Sequence, residues 1–214
     1  MFELSTKTQV NRKFKMSELY KVMSADKAVK ADAANIFSVT LTNVLNKDTL
    51  NFSTKGGVKE IYVFEIVLNT KAAPSLFISA LDKATNFHTV FILRFGKEEM
   101  LYGAFKEYGE KGMKVGKYYF TEWASGKTIV LPLGVNCLDE IYTAIIDELI
   151  PITARQAEST RDFVARYGEV VKLKKEIEKL QHLVDTEKQS KRRFELNDEL
   201  KQKKTELENL QQGN

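Results

Sequence analysis

IYVFEIVLNTK, residues 61–71, has the β-branched and aromatic density of a long strand, interrupted by one carboxylate, Glu65. Successive strand side chains point to opposite faces, so Tyr62, Phe64, Ile66 and Leu68 share one face. Val63, Glu65, Val67 and Asn69 share the other. The first set is the better core face. Glu65 is therefore expected half-exposed, under a helix or lining a groove, its charge met by lysine or backbone amides. A strand so apolar belongs inside a sheet with helices packed on it.

The flanking segments extend that sheet. SELYKVMSADKAVKADAANI reads as a helix capped by Ser17, and IFSVTLTNVL (36–45) as a strand. NKDTLNFSTKGG turns the chain, with a short strand expected around Leu50 to Ser53. AAPSLFISALDKATN returns to helical spacing, with Pro74 in its first turn. FHTVFILRF is a strongly apolar strand, and EEMLYGAFKEY pairs with it as a hairpin across FGKE. Glycines at 109, 112 and 116 mark a loose loop before KYYFTEW. KTIVLPL reads as a short edge strand because of Pro132. NCLDEIYTAIIDELIP is an amphipathic helix capped by Asn136, with Leu138, Ile141, Tyr142, Ile145, Ile146 and Leu149 apolar.

All three prolines and the only tryptophan lie before residue 152, and the remainder is rich in Lys, Glu, Gln and Leu. In that remainder Val170, Leu173, Ile177, Leu180 and Val184 follow alternating steps of three and four, a seam that seeks a mate. Polar residues 185–193 interrupt it. It resumes at Phe194 or Leu196, then Leu200, Leu207 and Leu210, with Lys203 in one core slot. The second set is out of register with the first, so a hairpin of two antiparallel helices is slightly favoured over one unbroken helix. The expected class is α+β. Residues 1–151 form one mixed or mainly antiparallel sheet with flanking helices, and residues 152–214 form a long C-terminal helical extension, coiled-coil or hairpin. Its seam (Val170, Leu173, Ile177, Leu180, Val184, Leu200, Leu207) is offered to its own hairpin mate, a second copy or a protein partner.

Composition excludes several functions. The 33 basic and 29 acidic residues leave +4, too small an excess to argue for nucleic acid by itself. MFELSTKTQVNRKFK has no apolar run behind its charges, so no secretory signal is expected, and no apolar stretch is long enough to span a bilayer. Cys137 is the only cysteine, which rules out an internal disulfide and fits a reducing, cytoplasmic setting.

Few residues carry a chemical signal. The order of helix, strands, long strand, helix and strand resembles the restriction-endonuclease core, which sets an acid on one strand and Glu-x-Lys on the next to hold a divalent metal. Asp48 and Glu65 are the weak catalytic candidates, but position 67 is Val where the lysine would stand. SGKT (125–128) lacks the upstream glycine of a phosphate loop, Thr121 occupying that place. His88, His182 and Cys137 lack ligand spacing, so no metal and no cofactor is expected. Lys117, Tyr119 and Trp123 fall on one face if KYYFTEW is extended throughout, and could stack bases. Lys191, Arg192 and Arg193, in the run from Lys188, could touch phosphates at a hairpin tip.

TQVNRKFKMSELYK, VKEIYVFEIVLN, FHTVFILRF followed by AFKEY, KYYFTEW and LPLGVNCLDEIYTAII together resemble the bacterial domain-of-unknown-function family 4391. The resemblance covers roughly residues 5 to 150, the tail matching only in character. It implies genes encoded beside restriction–modification methyltransferases and helicases, hence an accessory role in DNA processing or phage defence. It implies no catalytic residues. The function expected first is an accessory interaction protein docking a helicase, a methyltransferase or a second copy through its tail. The alternative is a nuclease-like, DNA-binding relative of the restriction-endonuclease fold, active or catalytically inactive.

Overall fold

A computed structural model describes residues 2–50, 57–110, 112–126, 129–130 and 137–212. The elements run β1 (Phe2–Glu3), β2 (Gln9–Phe14), α1 (Met16–Val22), α2 (Lys27–Asp32), β3 (Ile36–Asn46), α3 (Lys47–Leu50), β4 (Glu60–Leu68), α4 (Ser75–Ala84), β5 (His88–Phe95), β6 (Glu98–Gly109), β7 (Gly112–Phe120), β8 (Ala124–Ser125), β9 (Ile129–Val130), α5 (Leu138–Leu149), α6 (Thr160–Thr186) and α7 (Ser190–Gln211). The chain divides into two compact units, Met1–Leu149 and Ile150–Asn214.

The first unit is built on a mixed sheet in the order β2-β3-β4-β5-β6-β7, with β8 added beside β6. Only β4 and β5 run parallel, joined by the crossover helix α4; every other neighbour in this sheet is antiparallel. The class is α+β, as the sequence implies. Phe64, Ile66 and Leu68 enter one core with Phe77, Ile78 and Leu81 of α4, Leu19 of α1, and Phe91 and Leu93 of β5. Each such side chain removed from water contributes on the order of 1.5–3 kcal/mol. Helix α5 covers part of the opposite face: Tyr142 Oη donates to the Ala104 carbonyl at 2.9 Å and accepts from the Lys106 amide at 2.7 Å. Strands β1 and β9 pair with each other in parallel, apart from the main sheet.

The structure corrects several local expectations. Strand β2 escapes a reading by hydrophobic alternation because QVNRKF is exposed over its first five residues. The expected single helix after residue 17 is two. Ser24 adopts a left-handed φ of 49°, and Asp26 then caps α2 by accepting from the Val29 amide at 2.9 Å. Ser17 lies inside α1 rather than capping it. The turn after β3 holds α3, whose start is satisfied by Asn46 Oδ1 accepting from the Asp48 and Thr49 amides. Leu50 closes that helix, and the rest of the strand expected there lies outside the described residues.

The glycine-marked loop is in fact strand. Strand β7 begins at Gly112, and Gly116 sits so close to β6 that a Cβ there would lie 2.9 Å from the Phe105 carbonyl oxygen. The glycine is needed for close backbone approach, next to a bulge between Ala104 and Lys106. Of KTIVLPL only Ile129 and Val130 are described as strand, and they pair outside the main sheet. Pro132 and the expected cap Asn136 lie outside the described residues, as do the last two residues of SGKT. Helix α5 buries the six apolar residues its spacing implies.

The second unit is a pair of antiparallel helices that turn at residues 187–189. Lys203 on α7 donates to Glu176 on α6 at 2.7 Å, and Lys204 to Gln181 at 3.3 Å. Ser159 caps α6 by accepting from the Asp162 amide.

Candidate functional site

Glu65 lies on the less apolar face of β4, as its alternation implies, opposite Thr40 on β3 and Ile92 on β5. Its partner is an arginine rather than a lysine. Arg94 Nη1 approaches Glu65 Oε2 at 2.8 Å, while its Nη2 and Nε donate to Glu99 Oε1 at 2.6 and 3.1 Å. Arg94 and Glu99 are a directly opposed cross-strand pair of β5 and β6, which fixes this geometry. The guanidinium therefore stands between two carboxylates, where a metal-dependent hydrolase would hold its cation. An arginine offers a fixed charge but no open coordination position and no exchangeable proton near neutral pH.

Asp48 is not brought to this place. Glu60 pairs with Asn46, and Glu65 pairs with Thr40 five residues further along β4. At ~3.3 Å per residue the ends are ~16 Å apart, and Asp48 lies beyond the far one. It lines a separate pocket with Asn46, Lys47, Lys59, Glu60 and Phe87. Among the described residues no group of three or more His, Cys, Asp or Glu is placed to hold a metal ion.

The proposed stacking platform does not assemble. Strand β7 stops at Phe120, so alternation does not carry through to Trp123, which packs against the main core. Tyr119 is half-buried on the strand and Lys117 is exposed. Tyr118 points to the core, where its hydroxyl donates to Asp82 Oδ2 at 2.8 Å. Lys191, Arg192 and Arg193 are exposed in the first turn of α7, Arg192 pairing with Glu195 at 3.1 Å.

The helical seam is largely closed within the chain. Leu180 and Val184 pack with Leu196 and Leu200, and Ile177 lies against them. Val170 and Leu173 are buried, and Leu207 is half-buried. The turn at 187–189 lets each helix serve as the other's mate, so these residues are not an open partner surface. Phe194, the alternative start of the second seam, is 67% exposed.

Reading by motif missed the most buried charges. Lys106 Nζ contacts Asp82 Oδ1 at 2.6 Å, and the Asp82 carboxylate also accepts from the Thr89 hydroxyl. Burial pushes the Asp82 carboxyl up and the Lys106 ammonium down, and their mutual attraction opposes both. His88 is buried beside them, edge-on to Tyr142, with Nδ1 unpartnered among the described residues. Its pKa falls to about 4, chiefly by desolvation and secondarily by the Lys106 charge. These groups are enclosed, which makes them structural.

Glu65→Gln is expected to change unfolding free energy by no more than about 1–2 kcal/mol, because Arg94 keeps Glu99 and the site is partly solvated. Urea denaturation followed by Trp123 fluorescence measures it. A larger loss would mean that Glu65 anchors the sheet.

A family model described as Domain of unknown function (DUF4391) matches residues 2–207. The match runs past the globular unit through most of the helical pair, further than the sequence resemblance reached. No curated protein and no solved structure matches the chain.

Proposed function

The chain belongs to the family described as a domain of unknown function, DUF4391, and from that premise we propose a non-enzymatic accessory protein, cytoplasmic, in a bacterial DNA-processing or phage-defence system of restriction–modification type. The observation that carries the non-enzymatic part is the Arg94 guanidinium held between Glu65 and Glu99. Arg94 occupies both carboxylates, Asp48 lies far along the strand, and position 67, where a lysine would position water, is Val. The accessory part rests on the helical pair. Its apolar seam is used internally, so a helicase, a methyltransferase or a second copy would read its exposed, mixed-charge faces and the basic start of α7. Such contacts give register and on-rate more than raw affinity.

The nuclease-like alternative keeps one supporting feature, the strand, crossover helix and parallel strand around Glu65. Incubation of plasmid DNA with the full-length protein and Mg²⁺ or Mn²⁺ is expected to leave it intact. Cleavage that vanishes in Glu65→Gln would overturn the non-enzymatic reading. Capture of a helicase or methyltransferase from host extract is expected to weaken on charge reversal at Lys191, Arg192 and Arg193. Equal capture of those two proteins by both forms would remove the basic run from the interface.

A further inference from the structure

Strand β2 belongs to the sheet unit, not to the helical pair. From Leu4 to Ser17 the chain carries Lys7, Arg12, Lys13 and Lys15 and no acidic residue. All four are exposed, and among the described residues no carboxylate pairs with any of them. Arg12 and Lys13 lie on β2, Lys7 just before it and Lys15 just after it; uncompensated cations this near one another repel, and a polyanion relieves that repulsion.

The cations are interleaved with aromatic rings. The Arg12 guanidinium lies 4.8 Å from the Phe14 ring centroid, and Lys13 Nζ lies 5.9 Å from that of Phe37. Phe37 is 70% exposed, at a register shift of β3 beside β2. Strand β2 is the end of the main sheet, and its own pairing shifts between Gln9 and Arg12, where Asn11 takes a left-handed φ of 50°. That irregularity borders a groove of about 290 Å³ whose polar lining is Gln9, Asn11, Thr40, Thr42, Asn43 and the ion-paired Glu65 and Arg94, with Leu4, Val63 and Ile92 as its apolar part. Its side chains offer both hydrogen-bond donors and acceptors, the equipment for a base edge rather than for a phosphate.

We propose that this edge binds single-stranded nucleic acid. Lys13 on the groove's face and Arg12 on the opposite face of this edge strand meet the phosphates of a chain that wraps the edge, with Lys7 and Lys15 at the strand's two ends; Phe37 stacks on an unpaired base, and the groove receives base edges. An open ring needs a base that is not already stacked in a duplex, which favours a single strand. DNA and RNA share this chemistry.

Fluorescence anisotropy of the full-length protein with a short oligothymidylate and a short oligouridylate, at about 50 to 300 mM salt, tests the assignment. Four phosphate contacts on a single strand give a slope of log K against log salt of about −2.8. Phe37→Ala is expected to weaken binding about 10- to 100-fold at unchanged slope. Arg12→Glu combined with Lys13→Glu is expected to weaken it and flatten the slope by about 1.4. Charge reversal at Lys191, Arg192 and Arg193 is expected to leave this binding unchanged, which separates it from the interaction proposed for the helical pair. The tighter of the two oligomers identifies DNA or RNA. Absence of saturable binding at low salt, equal affinity for duplex, or indifference to both β2-edge variants would overturn the proposal. Photocross-linking of bromouridine to the wild type provides a readout that needs no variant: adducts are expected in the peptides carrying β2 or Phe37, and adducts confined elsewhere would overturn it.

Discussion

Lys106→Ala is expected to lower the stability of the sheet unit by about 3–5 kcal/mol, the cost of stranding one member of a buried ion pair. Lys106 is 1% exposed and Asp82 is fully buried. Besides the Asp82 carboxylate, Lys106 Nζ donates to the Asp82 carbonyl at 3.1 Å and the Phe87 carbonyl at 2.9 Å. It therefore serves the last turn of α4 and the loop that leads into β5. A cation at a helix C-terminus also meets the negative end of the helix dipole. Without it the Asp82 carboxylate keeps only the Thr89 and Tyr118 hydroxyls, in a place water does not reach. Burial already raises its pKa, and removal of the Lys106 charge that opposes the rise pushes it further in the same direction. Trp123 is the only tryptophan and packs on this unit's core, so its fluorescence in urea reports the loss. Replacing Asp82 and Lys106 together by Leu and Met is expected to recover much of the loss, since the desolvation of both charges goes with them. A single-variant loss below about 1 kcal/mol would show that the pair is not dry.

What the sequence disclosed, and what it withheld, divides along the range of the interactions. Glu65 was legible as a lone charge on the weaker face of β4, because alternation is a property of neighbours two residues apart. The seam from Ile177 to Val184 was legible for the same local reason, as was the helix from Leu138 to Leu149. Strand β2 was not, since an edge strand exposed over five of its six residues carries no apolar period to read. The partners of the buried charges were hidden too, because the order of strands decides them. Arg94 meets Glu65 only because β5 runs parallel beside β4, and Lys106 meets Asp82 across 24 positions of sequence. One signal was available in principle. Glu65 is the one charge between Ile61 and Leu68, and Arg94 the one in TVFILRF, and lone charges on sheet interiors find each other or cost stability. The same blindness made the Lys117–Trp123 platform look continuous, although the strand ends three residues before Trp123.

Arg166→Ala is expected to cost the helical pair a comparable 3–5 kcal/mol, for a related reason at a different place. Arg166 is 7% exposed, and its Nε and Nη2 donate to the two oxygens of Glu158, each at 2.7 Å. Its Nη1 donates to the Leu210 carbonyl at 2.6 Å and its Nη2 to the Thr153 carbonyl at 2.8 Å. Arg155 adds Nη2 to the Asn209 carbonyl at 2.8 Å. The last carbonyls of a helix have no partners within it, and here the guanidinium groups of the opposite helix and its approach supply the donors. Removal of Arg166 leaves Glu158 with the Arg155 amide at 2.9 Å and strips the Leu210 carbonyl of its donor, so α7 is expected to fray from its C-terminus. Amide exchange over residues 205–212 should quicken before the rest of the hairpin. Arg166→Lys is expected to restore less than half, because an ammonium cannot span Glu158 and two carbonyls in one plane. Hydrogen bonds from Arg166 are the main cause that holds the Glu158 pKa down to about 2, from 4.5. A pKa lowered in the folded state gives stability that is present above the unfolded value and lost as pH falls. The wild-type hairpin is therefore expected to weaken between about pH 4.5 and 2, and Arg166→Ala to lose most of that dependence. An unchanged acid slope in the variant, followed by helical circular dichroism, would show that the Arg166–Glu158 clamp does not hold the two helices together.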